Sequence, residues 1–167
     1  YSWYEIRSLG TQLTTLNVDD ATAAVTIPFT FKWYGTGYTT LSVCSNGWVS
    51  FGSNTSTAYS NTAIPSSTFA TPTIFLNWDD LTGSATGAWI GYYYDSANRR
   101  FVVEYDSVTT LSGGTRHKFQ LILYDSTGTG TKASKYYDAV VQYQMFDPGA
   151  SSSIGFQRNS TVGAQEL

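Results

Sequence analysis

Val25, Ile27, Phe29, Phe31 and Trp33 occupy every second position of one stretch, with Thr26, Pro28, Thr30 and Lys32 between them. A β-strand sends alternate side chains to opposite faces, so the spacing predicts a strand with one apolar face. A turn is expected at Tyr34-Gly35-Thr36-Gly37. A tight hairpin follows at Ser45-Asn46-Gly47, where Asn-Gly suits positive φ angles. The same period recurs in Phe101, Val103 and Tyr105, in Phe119, Leu121 and Leu123, and in Ala139, Val141, Tyr143 and Met145. Together these patterns predict strands at 2–7, 24–34, 40–44, 48–52, 73–78, 88–95, 100–108, 116–125, 138–146 and 153–157. No helical period persists.

Asp95–Asn98 reads as a short hairpin loop, and Gly113-Gly114 and Ser126–Thr131 as longer turns. Strands at this spacing predict an all-β chain: a two-sheet antiparallel β-sandwich, jelly-roll-like, with a closed barrel as the alternative. The stretch Gly52–Ala70 is the longest without a period and is expected to be functional or mobile. Residues 1–167 read as a single domain. An opening at Tyr1, without Met or signal sequence, is expected of a module excised from a larger secreted protein.

Composition narrows the class. Charged residues are only 13% and aromatics 16%, with Ser, Thr, Gly and Asn at the positions Lys and Glu usually hold. That balance favours an extracellular β-protein, secreted or at a cell surface. The net charge of −3, with basic residues clustered only at Arg99-Arg100 and Arg116-His117-Lys118, argues against a nucleic-acid partner. No apolar run reaches the roughly 18 residues of a membrane span, so no membrane insertion is expected. Cys44, the only cysteine, is read as a small packed side chain.

Four segments in order carry a family resemblance. They are Ile27–Gly35 with Tyr38, Ser45–Gly52, Ile74–Leu81, and Phe119–Tyr124 with the later Val141-Gln142-Tyr143 and Ser153–Gln157. This order resembles the non-catalytic β-sandwich modules of bacterial secreted peptidases and surface proteins. It is more distantly similar to nidogen-like extracellular domains. The chain departs from the pattern at Trp33, where such domains usually have Phe, and at Trp48 after the Asn-Gly turn. The resemblance implies adhesion, attachment or accessory binding, and it brings no catalytic residues with it.

Enzymatic chemistry finds little support. His117, the only histidine, lies between two cations and reads as a solvated strand residue, so a Ser-His-Asp arrangement lacks its base. A glycoside hydrolase would need paired carboxylates, which Glu5, Asp79, Asp80, Glu104 and Asp106 could supply. No cofactor is called for. Asp79 and Asp80, where a strand gives way to loop, are the candidate calcium ligands, and Asp19-Asp20 is a second acidic pair. For carbohydrate binding, exposed rings stack on sugar faces, and Tyr38, Trp48, Trp89, Tyr92 and Tyr94 are the candidates. Tyr92 and Tyr94 share a face and Tyr93 lies opposite, while Phe29, Phe31 and Trp33 continue the core face. The leading expectation is a non-catalytic extracellular adhesion or accessory module. Its partners would be an extracellular glycan or protein surface and other domains of a parent chain.

Overall fold

The computed structural model describes residues 2–126, 138–147 and 151–165. Within them lie β1 (Thr11–Gln12), β2 (Thr22–Trp33), β3 (Thr36–Cys44), β4 (Trp48–Phe51), β5 (Thr73–Trp78), β6 (Leu81–Thr82) and β7 (Trp89–Asp95). They continue with β8 (Arg100–Thr110), β9 (His117–Tyr124), β10 (Ala139–Met145), β11 (Ser153–Asn159) and β12 (Val162–Gln165). One antiparallel sheet runs β1-β7-β8-β9-β10, with β6 also paired to β8; the other runs β12-β11-β5-β4-β3-β2. Two six-stranded sheets that do not close on each other form a β-sandwich rather than a barrel.

The main core lies between the sheets. Val25, Ile27, Phe29 and Phe31 of β2 meet Phe101, Val103, Tyr105, Phe119, Leu121 and Leu123 from across the sandwich. The alternation of β2 therefore continues as predicted, and Tyr92 and Tyr94 also face this core while Tyr93 points away. Two tyrosine hydroxyls tie the layers together. Tyr105 donates to the Cys44 carbonyl at 2.7 Å, and Tyr143 donates to the Leu76 carbonyl at 2.6 Å.

Both sheets are also covered on their outer faces. On β4 and β5, Trp48, Phe75 and Trp78 form a second apolar cluster with Cys44, Ile64 and Phe69. The stretch 52–70, expected to be functional or mobile, is the cover. The indole N–H groups of Trp48 and Trp78 both donate to the Ala58 carbonyl, at 2.9 and 3.0 Å. Buried Gln157 fastens the cover by donating to the Ser66 and Phe69 carbonyls and accepting from the Ser66 N–H. On the other sheet, Ile6 packs with Trp89, Val102 and Ile122. Residues 2–7, expected as a strand, are not one; they lie across a sheet face rather than along an edge, so no ladder is open to them.

The turns follow their residues. Tyr34 and Gly35 have φ of 48° and 83°, which makes the β2–β3 connection a two-residue hairpin with both φ angles positive. At Ser45-Asn46-Gly47 only Gly47 has positive φ, +75°, and a β-carbon there would sit 2.0 Å from the Asn77 carbonyl oxygen. Asp95 closes the β7–β8 hairpin by accepting from Asn98 and Arg100.

Candidate functional site

The expected ligand aromatics separate in the structure. Trp48 is fully buried and Trp89 nearly so, each beneath a covering segment, and neither presents a ring face to solvent. Tyr38, Tyr92 and Tyr94 are half-buried and packed against the main core, Tyr38 beside Phe51, Tyr92 stacked on Phe101 and Tyr94 tilted against Phe29. These five residues do not converge on one surface.

A different aromatic group does converge. Trp33, at the end of β2, stacks on Phe51 with centroids 5.1 Å apart. Its edges meet Tyr34 at 5.5 Å and Phe156 of β11 at 5.8 Å, both near perpendicular. Tyr34 is 46% and Phe156 39% exposed. Tyr34 holds a left-handed backbone conformation that costs a bulky residue on the order of 1 kcal/mol, and strain of that kind concentrates at functional sites. The Arg158 guanidinium lies 6.0 Å from the Tyr34 ring, and Lys32 lines the same hollow. Next to it the sheets part. An apolar cleft of roughly 450 Å³ opens between Trp33, Ile74, Val141, Tyr143, Ile154 and Phe156. The Trp33 indole nitrogen is buried there without a hydrogen-bond partner. The hairpin tip and the cleft thus form a continuous apolar surface with a basic rim, suited to an inserted apolar group.

The acidic residues fall into two groups. Asp80 does not pair with Asp79 but gathers with Asp19 and Asp20, carboxylate oxygens lying within 4.8 Å of one another. Asp79 instead accepts from the Asp80 N–H and the Ser151 hydroxyl. Burial first, and then the neighbouring carboxylates, raise both Asp80 and Asp19 above the ordinary value. Asp20 accepts from buried Asn46 at 2.7 Å, and Asn46 also accepts from the Leu81 N–H. Asn46 thereby clamps the Asn-Gly turn to the Asp20 loop and to the start of β6, a role that no local pattern announces. The second group is Glu5, Glu104 and Asp106. Lys118 stands among them, 3.7 Å from Glu104 and 3.1 Å from Asp106, and also pairs with Glu5. Glu104 is fully buried, so the carboxylate pair a glycosidase needs is not open to a sugar there.

The remaining candidates are interior. Cys44 is fully buried, and burial pushes its thiol up to about 11. His117 was expected to be solvated but is buried against Phe146, because on β9 it shares the inward parity of Phe119, Leu121 and Leu123, the register shift beside it falling on β8 at Ser107. Burial lowers its pKa below the ordinary 6.5, and its Nδ1 has no partner.

Among the described residues no helix is long and apolar enough to cross a membrane. No curated protein and no solved structure matches the chain. A family model described as NIDO related matches residues 1–166. The match runs through the sandwich, both covering segments and the aromatic tip, and the chain belongs to this NIDO-related family of nidogen-like extracellular modules.

Proposed function

We propose that the chain is a non-catalytic extracellular module that attaches a larger secreted or surface protein to a protein partner. The observation that carries this reading is the surface formed by the strained Tyr34 tip, Trp33, Phe156 and the adjoining cleft. Aromatic residues with flanking arginine are the groups enriched where protein interfaces draw most of their affinity. A carbohydrate ligand is the weaker reading, because Trp33 meets other rings on one face and two edges, and the other candidate rings are packed inward.

The test is parallel screening of the domain on a polysaccharide array and on a panel of immobilised extracellular proteins, with Tyr34→Ala and Phe156→Ala alongside. Saturable protein binding that weakens at least tenfold in both variants is the expected result. Glycan binding lost in the same variants would replace the proposal with a carbohydrate-binding module. Turnover on a chromogenic glycoside panel would end the non-catalytic reading.

A further inference from the structure

The outer face of the β1-β7-β8-β9-β10 sheet holds a charge cluster remote in character from the aromatic tip. Glu104, near the middle of β8, is fully buried, and neither carboxylate oxygen receives a hydrogen bond. Its lateral neighbours in the sheet are Gly91 on β7 and Gln120 on β9, with Gln142 of β10 next along the row. In the adjacent row Asp106 pairs with Lys118, and Trp89 lies opposite Asp106 on β7. From above, the segment 2–9 contributes Glu5 and Arg7, and it sets the Trp3 ring 5.6 Å from the Lys118 ammonium. The charged groups facing Glu104 are therefore Asp106 from its own strand, Lys118 from β9, and Glu5 and Arg7 from the covering segment.

Their charges decide its state. Lys118 and Arg7 balance Glu5 and Asp106, with Arg7 3.1 Å from Asp106. The group is neutral only while Glu104 keeps its proton. Releasing that proton to solvent leaves one negative charge with no hydrogen-bond donor and no water contact, facing the carboxylate of Glu5. Burial and then the Glu5 charge raise Glu104 from 4.5 to about 8, against the opposing pull of Lys118. The covering segment is the part able to yield. It has no ladder pairing and is fastened by side chains: Ile6 in its small apolar cluster, Tyr4 against Tyr93 and under Arg100, and Arg7 on the Gly87 carbonyl.

We propose that residues 2–9 form a charge-gated strap, closed over the sheet while Glu104 is protonated and lifted when Glu104 ionises, which bares the face of Trp89, Tyr93 and Ile122. Lifting admits water to Glu104 and takes away Glu5 together with its oppositely charged neighbour Arg7, so that hydration of Glu104 is what lifting gains.

Hydrogen exchange from pH 5.5 to 9, corrected for intrinsic rates, tests this on the Arg7, Leu9 and Gly10 amides, which bond to Glu5 and to the Ile6 carbonyl. Protection is expected to fall by up to about tenfold per pH unit between about 5.5 and 7.5 and to level off above 8. The β8 and β9 amides should not follow, and Glu104→Gln should show a flat profile. Constant protection in the wild type, the same fall in Glu104→Gln, or a parallel loss in β8 and β9 overturns the proposal. If Glu104→Gln does not fold, Glu5→Gln serves instead. Removing that charge must move the midpoint to lower pH, and an unmoved midpoint overturns the proposal equally.

Discussion

Replacing Tyr105 by Phe removes a single oxygen from the centre of the sandwich. The side chain is fully buried, stacks on Phe119 at 4.7 Å, and donates its hydroxyl across the core to the Cys44 carbonyl at 2.7 Å. A second carbonyl, that of Trp48, lies 3.3 Å away. A buried hydrogen bond contributes about 0.5–1.5 kcal/mol net, and an acceptor stranded without a partner adds about 1–3 kcal/mol. Cys44 is not wholly stranded, because its carbonyl also accepts from the Gly47 N–H at 3.3 Å. The expected loss is therefore in the lower range, about 1–2 kcal/mol. For a chain of 167 residues that corresponds to a fall in Tm of about 3–6 °C. Urea denaturation should show a lower midpoint with an unchanged slope, since the surface exposed on unfolding is the same. Tyr143→Phe provides the internal comparison. Its hydroxyl makes the equivalent bond to Leu76, but the residue lines the open cleft, where water can replace the lost donor, so the cost should stay below about 1 kcal/mol. A Tyr105→Phe protein within about 0.3 kcal/mol of wild type, or a Tyr143→Phe protein that loses more, would refute the assignment of Tyr105 as the buried tie between the sheets.

Four further outcomes follow from the same geometry. Gly47→Ala, with φ of +75° and its β-carbon 2.0 Å from a backbone oxygen, should cost more than about 3 kcal/mol and abolish soluble, cooperatively folding protein. Gly35→Ala, with φ of +83° but open space around it, should cost only about 1 kcal/mol in thermal melts followed by circular dichroism. Asp95 is raised by burial but held below its ordinary 3.8 by the bonds from Asn98 and Arg100 that outweigh it. Its stabilisation is thus present above about pH 3.8 and lost as pH falls through the lower folded value. Asp95→Asn should trail wild type by about 1–2 kcal/mol at pH 6, with the gap closing in urea titrations as pH falls below 3.8 through the lower folded value. Cys44, buried and pushed up to about 11, should resist iodoacetamide in the native protein at pH 8 and react within minutes in urea, as followed by mass spectrometry.

The strand pattern was readable because it is local: a period of two in β2, β8, β9 and β10 names both the element and its inward face. The covers were not readable, because irregular segments carry no period, and this explains the misplaced tryptophans. Trp48 and Trp89 stand beside turns, so a single-cover sandwich would leave both at its surface. Segments 52–70 and 2–9 bury them instead. A signal for this existed in the strands themselves. β5 reads Thr-Ile-Phe-Leu-Asn-Trp, with large apolar residues on both faces, and β8 carries Val102 opposite the core face as well as Phe101 and Val103 on it. A strand apolar on both faces must be covered twice. The strands β1 and β6 are not legible because two residues cannot display a period, and β12 is not because Val-Gly-Ala-Gln carries too little apolar bulk to mark a face. At the candidate site, Tyr34-Gly35 announces a turn, but the meeting of the adjacent Trp33 with Phe156, more than a hundred residues further along the chain, depends on β11 packing beside β5. Asp80 joining Asp19 and Asp20 instead of Asp79 has the same origin. Sequence periodicity tells which way a residue points within its own strand. Which residues share a site is decided by strand order and by what lies on top, and in this chain the irregular segments settle both for Trp48, Trp89 and Glu104.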